Sequence, residues 1–102
     1  MPKTRQKAVA TLQIDNERVR VTQWSFAPGA QTGWHKHQMD YVVVPELQGT
    51  LLLETSAGES TSALNAGVSY YRTAGVEHNV INANSFAFSF VEIELKGINN
   101  EP

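Results

Sequence analysis

The stretch "GWHKHQMDYVVV" (33–44) places two of the chain's three histidines, His35 and His37, one residue apart. The β-branched run that follows favours a strand. On a strand, side chains at i and i+2 project from the same face. Neutral imidazole is both the commonest metal ligand and an acid–base group that titrates near neutrality. The third histidine, His78, lies in "GVSYYRTAGVEHNVIN" (67–82). A lone histidine is more often a hydrogen-bonded core or surface residue than a ligand, so the elements around these three decide what they can do. The absence of cysteine excludes disulfides, zinc knuckles and thiol nucleophiles.

Those elements read as strands. Apolar residues come in short, alternating runs punctuated by turn residues, and no window supports an ordinary amphipathic helix. Strands are expected at "VATLQI" (9–14), "RVRVTQWSF" (18–26), "WHKH" followed by "YVVVPELQ", "TLLLET" (50–55), "TSAL", "VSYYRT", "EHNVIN" and "FAFSFVEIEL" (86–95). In the second run the apolar parity changes near Thr22 and Gln23, which points to a bulge or to a strand covered on both faces. Pro45 favours an edge, a bulge or a strand end. In the last run the apolar set shifts from Phe86, Phe88 and Phe90 to Val91, Ile93 and Leu95, so a bulge is expected near 90. Strands joined by Gly, Pro and Asn turns make an all-β antiparallel sandwich or barrel.

At 102 residues the chain is expected to form one domain, with its core from about 18 to 95. The net charge is −2, and no basic cluster offers a nucleic-acid footprint. Apolar runs reach only four residues, far short of a membrane span or a signal-peptide core. The expectation is a cytoplasmic protein that engages neither nucleic acid nor membrane.

At this point the sequence resembles the cupin superfamily, whose first motif reads Gly-x5-His-x-His-x3 or x4-Glu-x6-Gly. Gly29, His35, His37 and Gly49 stand at its positions. The second motif, Gly-x5-Pro-x-Gly-x2-His-x3-Asn, is matched by Gly67, Gly75, His78 and Asn82, with Thr73 in the proline's place. All three histidines fall on the family's histidine positions. The stretch "GWHKHQMDYVVVP" is also similar to one in small stand-alone bacterial cupins, including those associated with β-alanine degradation. The resemblance implies a cupin jelly roll with a divalent metal (Zn, Fe, Ni or Mn) held by His35, His37 and His78. Such a site takes two ligands from one strand and a third from its neighbour. Gly49, Gly67 and Gly75 need be no more than turn residues.

The family's glutamate ligand would fall on Tyr41 or Val42. Tyr41 shares parity with His35 and His37 if no bulge intervenes, and Asp40 then points away. Three neutral ligands would leave the ion's double charge intact and attract small anions, carboxylates above all. Tyr41, Arg72 and Glu92 are the candidate catalytic residues. Arg72, with Tyr70, either faces inward to clamp a carboxylate or sits solvated outside. Glu92 points inward if the strand is regular and lies beside Glu94 in solvent if it bulges at 90; the parity shift favours solvent. Trp24, Phe26, Trp34 and the Phe86–Phe90 set are expected in the core or pocket lining.

The resemblance leaves several functions open. Metal-dependent chemistry on a small carboxylate metabolite, as a dioxygenase, isomerase or hydrolase, is one class. A non-catalytic ligand-binding or sensor cupin is another, and an iron-dependent thiol dioxygenase-like oxygenase a third. The segment "AVATLQI" (8–14) is apolar and could pair with a second chain, so a homodimer is expected.

Overall fold

The computed structural model describes residues 4–97, so the outer limits of the expected domain, 1–3 and 98–102, lie outside the described residues. Nine strands follow one another: β1 (Val9–Asp15), β2 (Val19–Phe26), β3 (His35–Lys36), β4 (Asp40–Pro45), β5 (Gly49–Thr55), β6 (Gly58–Leu64), β7 (Tyr70–Arg72), β8 (Glu77–Asn82) and β9 (Phe88–Leu95). They form two antiparallel sheets, ordered β1-β2-β9-β4-β7 and β3-β8-β5-β6. No helix occurs among the described residues. The all-β sandwich expected from the strand pattern is present, with the jelly-roll arrangement that the resemblance implies.

Strand formation follows local chemistry. β4 and β5 carry the unbroken aliphatic runs Val42–Val44 and Leu51–Leu53, and apolar residues largely alternate with polar ones along β9, all compositions that suit a pleated, partly buried surface. Their inward residues meet between the sheets: Phe26, Tyr41, Val43, Leu51, Leu64, Val80, Phe88 and Phe90 form one buried cluster. Burying each large side chain of this kind is worth about 1.5–3 kcal/mol. β4 ends at Pro45, whose missing N–H would otherwise be needed to extend the ladder.

Of the two alternatives for the parity change near Thr22, coverage on both faces holds, and the bulge expected near 90 needs correction. The irregularity beside Thr22 lies in the partner strand: β1 skips a residue between Leu12 and Ile14, while β2 pairs with β9 without interruption. Val21 and Thr22 are both buried, so β2 is covered on its two faces there. The bulge near 90 does not exist. β9 keeps a continuous register with both β2 and β4 from Phe90 through Leu95. Val91 and Ile93 simply occupy the outer face, while Phe88, Phe90 and Glu92 share the inner one.

Gly49 is no mere turn residue either. Its φ is not positive, unlike Gly67 (φ 76°) and Gly75 (φ 99°), where a turn does require glycine. A Cβ at position 49 would lie 2.7 Å from the Phe88 ring and 2.9 Å from Asn84 Nδ2. Phe88 is locked in the core, so it cannot swing aside. Gly49→Ala is therefore expected to lower stability by about 1–3 kcal/mol through overpacking. Urea denaturation checks this; an unchanged midpoint would mean that the ring yields freely.

Candidate metal centre

The site begins with a register. β3 pairs with β8 so that His35 lies directly opposite His78, which sets the two imidazoles side by side on one face. His37 is added just beyond the two-residue β3. Its N–H donates to the Val76 carbonyl and its own carbonyl accepts from the Gly75 N–H, both at 2.8 Å. The turn at Gly75 thus clamps His37 against the strand that carries His78. Nε2 of His37 lies 3.0 Å from Nε2 of His35 and 3.2 Å from Nε2 of His78.

This donor set could hold a metal ion. Metal–imidazole bonds of about 2.0–2.1 Å place neighbouring ligand nitrogens roughly 3–3.4 Å apart, which matches the two spacings that His37 makes. His35 Nδ1 lies 2.8 Å from the Gly33 carbonyl, which can only accept, so the ring's proton sits on Nδ1 and its Nε2 offers a lone pair. Burial, reinforced by the neighbouring imidazoles of His35 and His78, pushes His37 down to about 4. Burial likewise pushes His78 down to about 4, with His35 and Arg72 adding to the effect. Both rings are therefore in the neutral, ligating form at neutral pH.

Tyr41 does enter the site, though not by strand parity with the histidines. A bend at Gln38–Met39 carries the chain from β3 in one sheet to β4 in the other. From there the Tyr41 ring stacks on His37, centroids 3.8 Å apart and planes inclined by 18°. Burial raises its phenol further above its ordinary value, so it remains neutral. Asp40 points away, accepting hydrogen bonds from Tyr71 and from the Ala74 N–H. Val42, the other position aligned with the family's glutamate, lies on the outer face of β4 with its parity opposite to Tyr41.

Glu92 is the main residue misplaced by sequence reasoning. With β9 unbroken it faces inward, 8% exposed, with Oε2 4.0 Å from His37 Nε2. Its Oε1 accepts a hydrogen bond from Trp24 Nε1 at 3.3 Å. Burial, with Glu94 adding repulsion, pushes Glu92 up to about 7. The alternation Phe88, Phe90, Glu92 carried that signal, and the segment has no glycine to favour a bulge. Trp34 and Phe86 also depart from expectation: they are 56% and 46% exposed rather than lining the pocket. Trp34 neighbours His35 in the chain and so faces the opposite way.

A cavity of about 170 Å³ runs from the histidines into the sandwich, walled by Val43, Leu51, Leu53, Val80 and Phe90. Arg72 and Tyr70 line it as well. Arg72 sits opposite Tyr41 in the β4–β7 register and stays exposed. Its guanidinium lies 4.6 Å from the centre of the Tyr70 ring, and Nη1 donates to the Tyr71 carbonyl at 3.0 Å. Arg72 thus combines parts of both alternatives, lining the cavity while remaining exposed. A shallower groove of about 470 Å³ shares His35, His37, Trp24 and Glu92, and runs out to Ala10 and Leu12 on β1.

Comparison with known proteins agrees with this geometry. Residues 22–94 match the model of the cupin domain. The chain is 59% identical over 92 residues to the "Beta-alanine degradation protein BauB" of Pseudomonas aeruginosa, covering 90% of this chain and 97% of that protein. The crystal structure of a cupin domain from Bordetella pertussis Tohama I superposes with a TM-score of 0.92 at 60% identity, covering 94% of this chain and all of the other. A double-stranded β-helix domain from Klebsiella pneumoniae, 18% identical, shares the fold with a TM-score of 0.75, over 94% of this chain and 83% of its own.

The shifted groups set a pH dependence for the metal-free protein. Unfolded, His37 and His78 take up protons below 6.5; folded, they wait until about 4. Glu92 does the reverse, protonating at about 7 when folded and 4.5 when unfolded. Between pH 4.5 and 6.5 the unfolded chain thus holds two of these protons and the folded chain one, a difference of one (2 − 1). Stability should fall as pH falls through this window. Glu92→Gln removes the opposing proton and should steepen the fall. Thermal unfolding of metal-free protein across the window is the check, and a flat wild-type profile or a shallower variant would contradict it.

Proposed function

Because the chain belongs to the cupin domain family, we propose that it binds one divalent metal through His35, His37 and His78 and uses that site on a small carboxylate metabolite. The observation carrying this reading is the convergence of three Nε2 atoms at one end of an apolar-walled cavity that Arg72 also lines. A bound divalent ion would supply Lewis-acid charge to a substrate oxygen. Zinc, iron, nickel and manganese all accept imidazole ligands. The chain's own residues do the rest. Arg72, held against Tyr70 and the Tyr71 carbonyl, offers a bidentate fork for a carboxylate. Tyr41 fixes the His37 ring by stacking. The aliphatic walls exclude water and strengthen both charged contacts.

Glu92 tempers the charge. Beside a divalent ion its carboxyl would ionise and cancel part of the positive charge, leaving a site still net positive with Arg72 nearby. The name carried by the Pseudomonas aeruginosa relative, which refers to β-alanine degradation, supports a small carboxylate as the ligand class.

A homodimer belongs to the same reading. β1 is exposed along its whole length, with Val9, Leu12 and Ile14 uncovered, and among the described residues it pairs only with β2. A second copy seated against β1 would cover Leu12 and roof the groove that leads from it to His35 and His37.

Three experiments test these statements. Metal analysis and calorimetry should find one divalent ion per chain, lost in His35→Ala and His78→Ala. The loaded protein should bind small carboxylates such as β-alanine. Arg72→Gln should weaken that binding about tenfold or more while leaving the metal in place. Full metal content in the histidine variants would sink the site, and unchanged carboxylate affinity in Arg72→Gln would remove its role. Separately, light scattering at tens of micromolar should give a dimer that Leu12→Lys shifts towards monomer; a monomeric wild type ends the dimer proposal.

A further inference from the structure

Behind the histidines, on the opposite side of β8, lies a buried amide that the metal-site reading does not use. Asn79 follows His78 and is 2% exposed. Its Oδ1 accepts the Gly33 N–H at 2.9 Å. Its Nδ2 donates to Gln31 Oε1 at 2.8 Å and to Glu54 Oε1 at 2.9 Å. The amide can face only one way: a backbone N–H needs an acceptor and a carboxylate needs a donor. Glu54 is itself tethered by Arg5, 3.6 Å away.

The Gly33 backbone therefore has both its N–H and its carbonyl engaged, one in each of the peptide groups that flank its Cα. Asn79 holds its N–H, and its carbonyl accepts His35 Nδ1 at 2.8 Å and the Thr32 hydroxyl at 2.9 Å. Gly33 sits at φ 92°, where only glycine is unstrained, so this turn is held by its hydrogen bonds rather than by side-chain packing. We propose that Asn79 is a positioning residue for His35. Acting through Gly33, it keeps the imidazole proton on Nδ1 and aims the Nε2 lone pair at His37 and His78. Partners of this kind fix a ligand's tautomer and orientation, and their loss typically costs 10–100-fold in metal affinity.

The test reads the imidazole directly. Long-range proton–nitrogen NMR of the metal-free wild type should show His35 as a single Nδ1–H tautomer. In Asn79→Ala the Gly33 N–H loses its acceptor, and His35 should become a mixture of tautomers. Cobalt(II) affinity should then fall about tenfold or more. Glu54→Gln, which breaks the Arg5 ion pair but keeps an acceptor for Asn79, should lower the melting temperature without moving the tautomer. That separates positioning from plain stabilisation. An Nε2–H tautomer in the wild type overturns the proposal, and this holds even if Asn79→Ala does not fold. So does an Asn79→Ala variant with the wild-type tautomer and cobalt affinity. The cobalt arm rests on the metal-site reading and the tautomer arm does not. A wild type that binds no cobalt thus defeats that reading while leaving the Asn79 proposal to be judged on the tautomer.

Discussion

Three imidazoles are packed with His37 Nε2 3.0–3.2 Å from the Nε2 atoms of the other two, and much of the fold can be understood as holding them there. Nitrogens this close repel where lone pair faces lone pair and attract where a ring N–H or a cation lies between them. Burial forbids the easy remedy of protonation, since it holds both His37 and His78 near 4. The arrangement must therefore be imposed by the surrounding backbone. The β3–β8 register supplies one pair, the Gly75 turn and the ring of Tyr41 secure His37, and the Gly33 carbonyl orients His35.

The polar groups around this cluster come from the opposite sheet. Glu92 on β9, Tyr41 on β4 and Arg72 on β7 belong to the five-stranded sheet, whereas His35 and His78 belong to the four-stranded one. The site is thus built across the sandwich, and its electrostatic balance depends on how the two sheets face each other. Apolar walls between the groups raise the weight of every charge that enters. An acid raised towards neutrality and an arginine braced on an aromatic ring then share one small cavity.

On the other side of β8, polar chemistry does what apolar packing does inside. Gln31, Glu54 and Asn79 satisfy one another beneath the segment that carries Arg5, and Gly33 is tied into the same network. A buried amide with all its partners is stable, and removing one leaves the others costly. Such a network specifies a single arrangement more sharply than aliphatic contacts would.

Much was legible from the chain alone. The β-branched and aromatic runs in "DYVVVP" and "FSFVEIEL" pointed to strands, a local property set by side-chain shape and the two-residue repeat. His35 and His37 share a strand's spacing, and the resemblance to the cupin motifs, through Gly29, Gly67, Gly75 and Asn82, joined His78 to them. Which face each strand buries was not local. Glu92 turned inward because β9 runs unbroken between β2 and β4, and both neighbours together hold that register. Tyr41 reached His37 because two residues of bend moved the chain to the other sheet, a change no parity count contains. Gly49 was required by a phenylalanine ring 39 positions away (88 − 49), and Asn79 by a glycine 46 residues distant. Contacts of that separation depend on how whole sheets stack, so only the tertiary structure decided them.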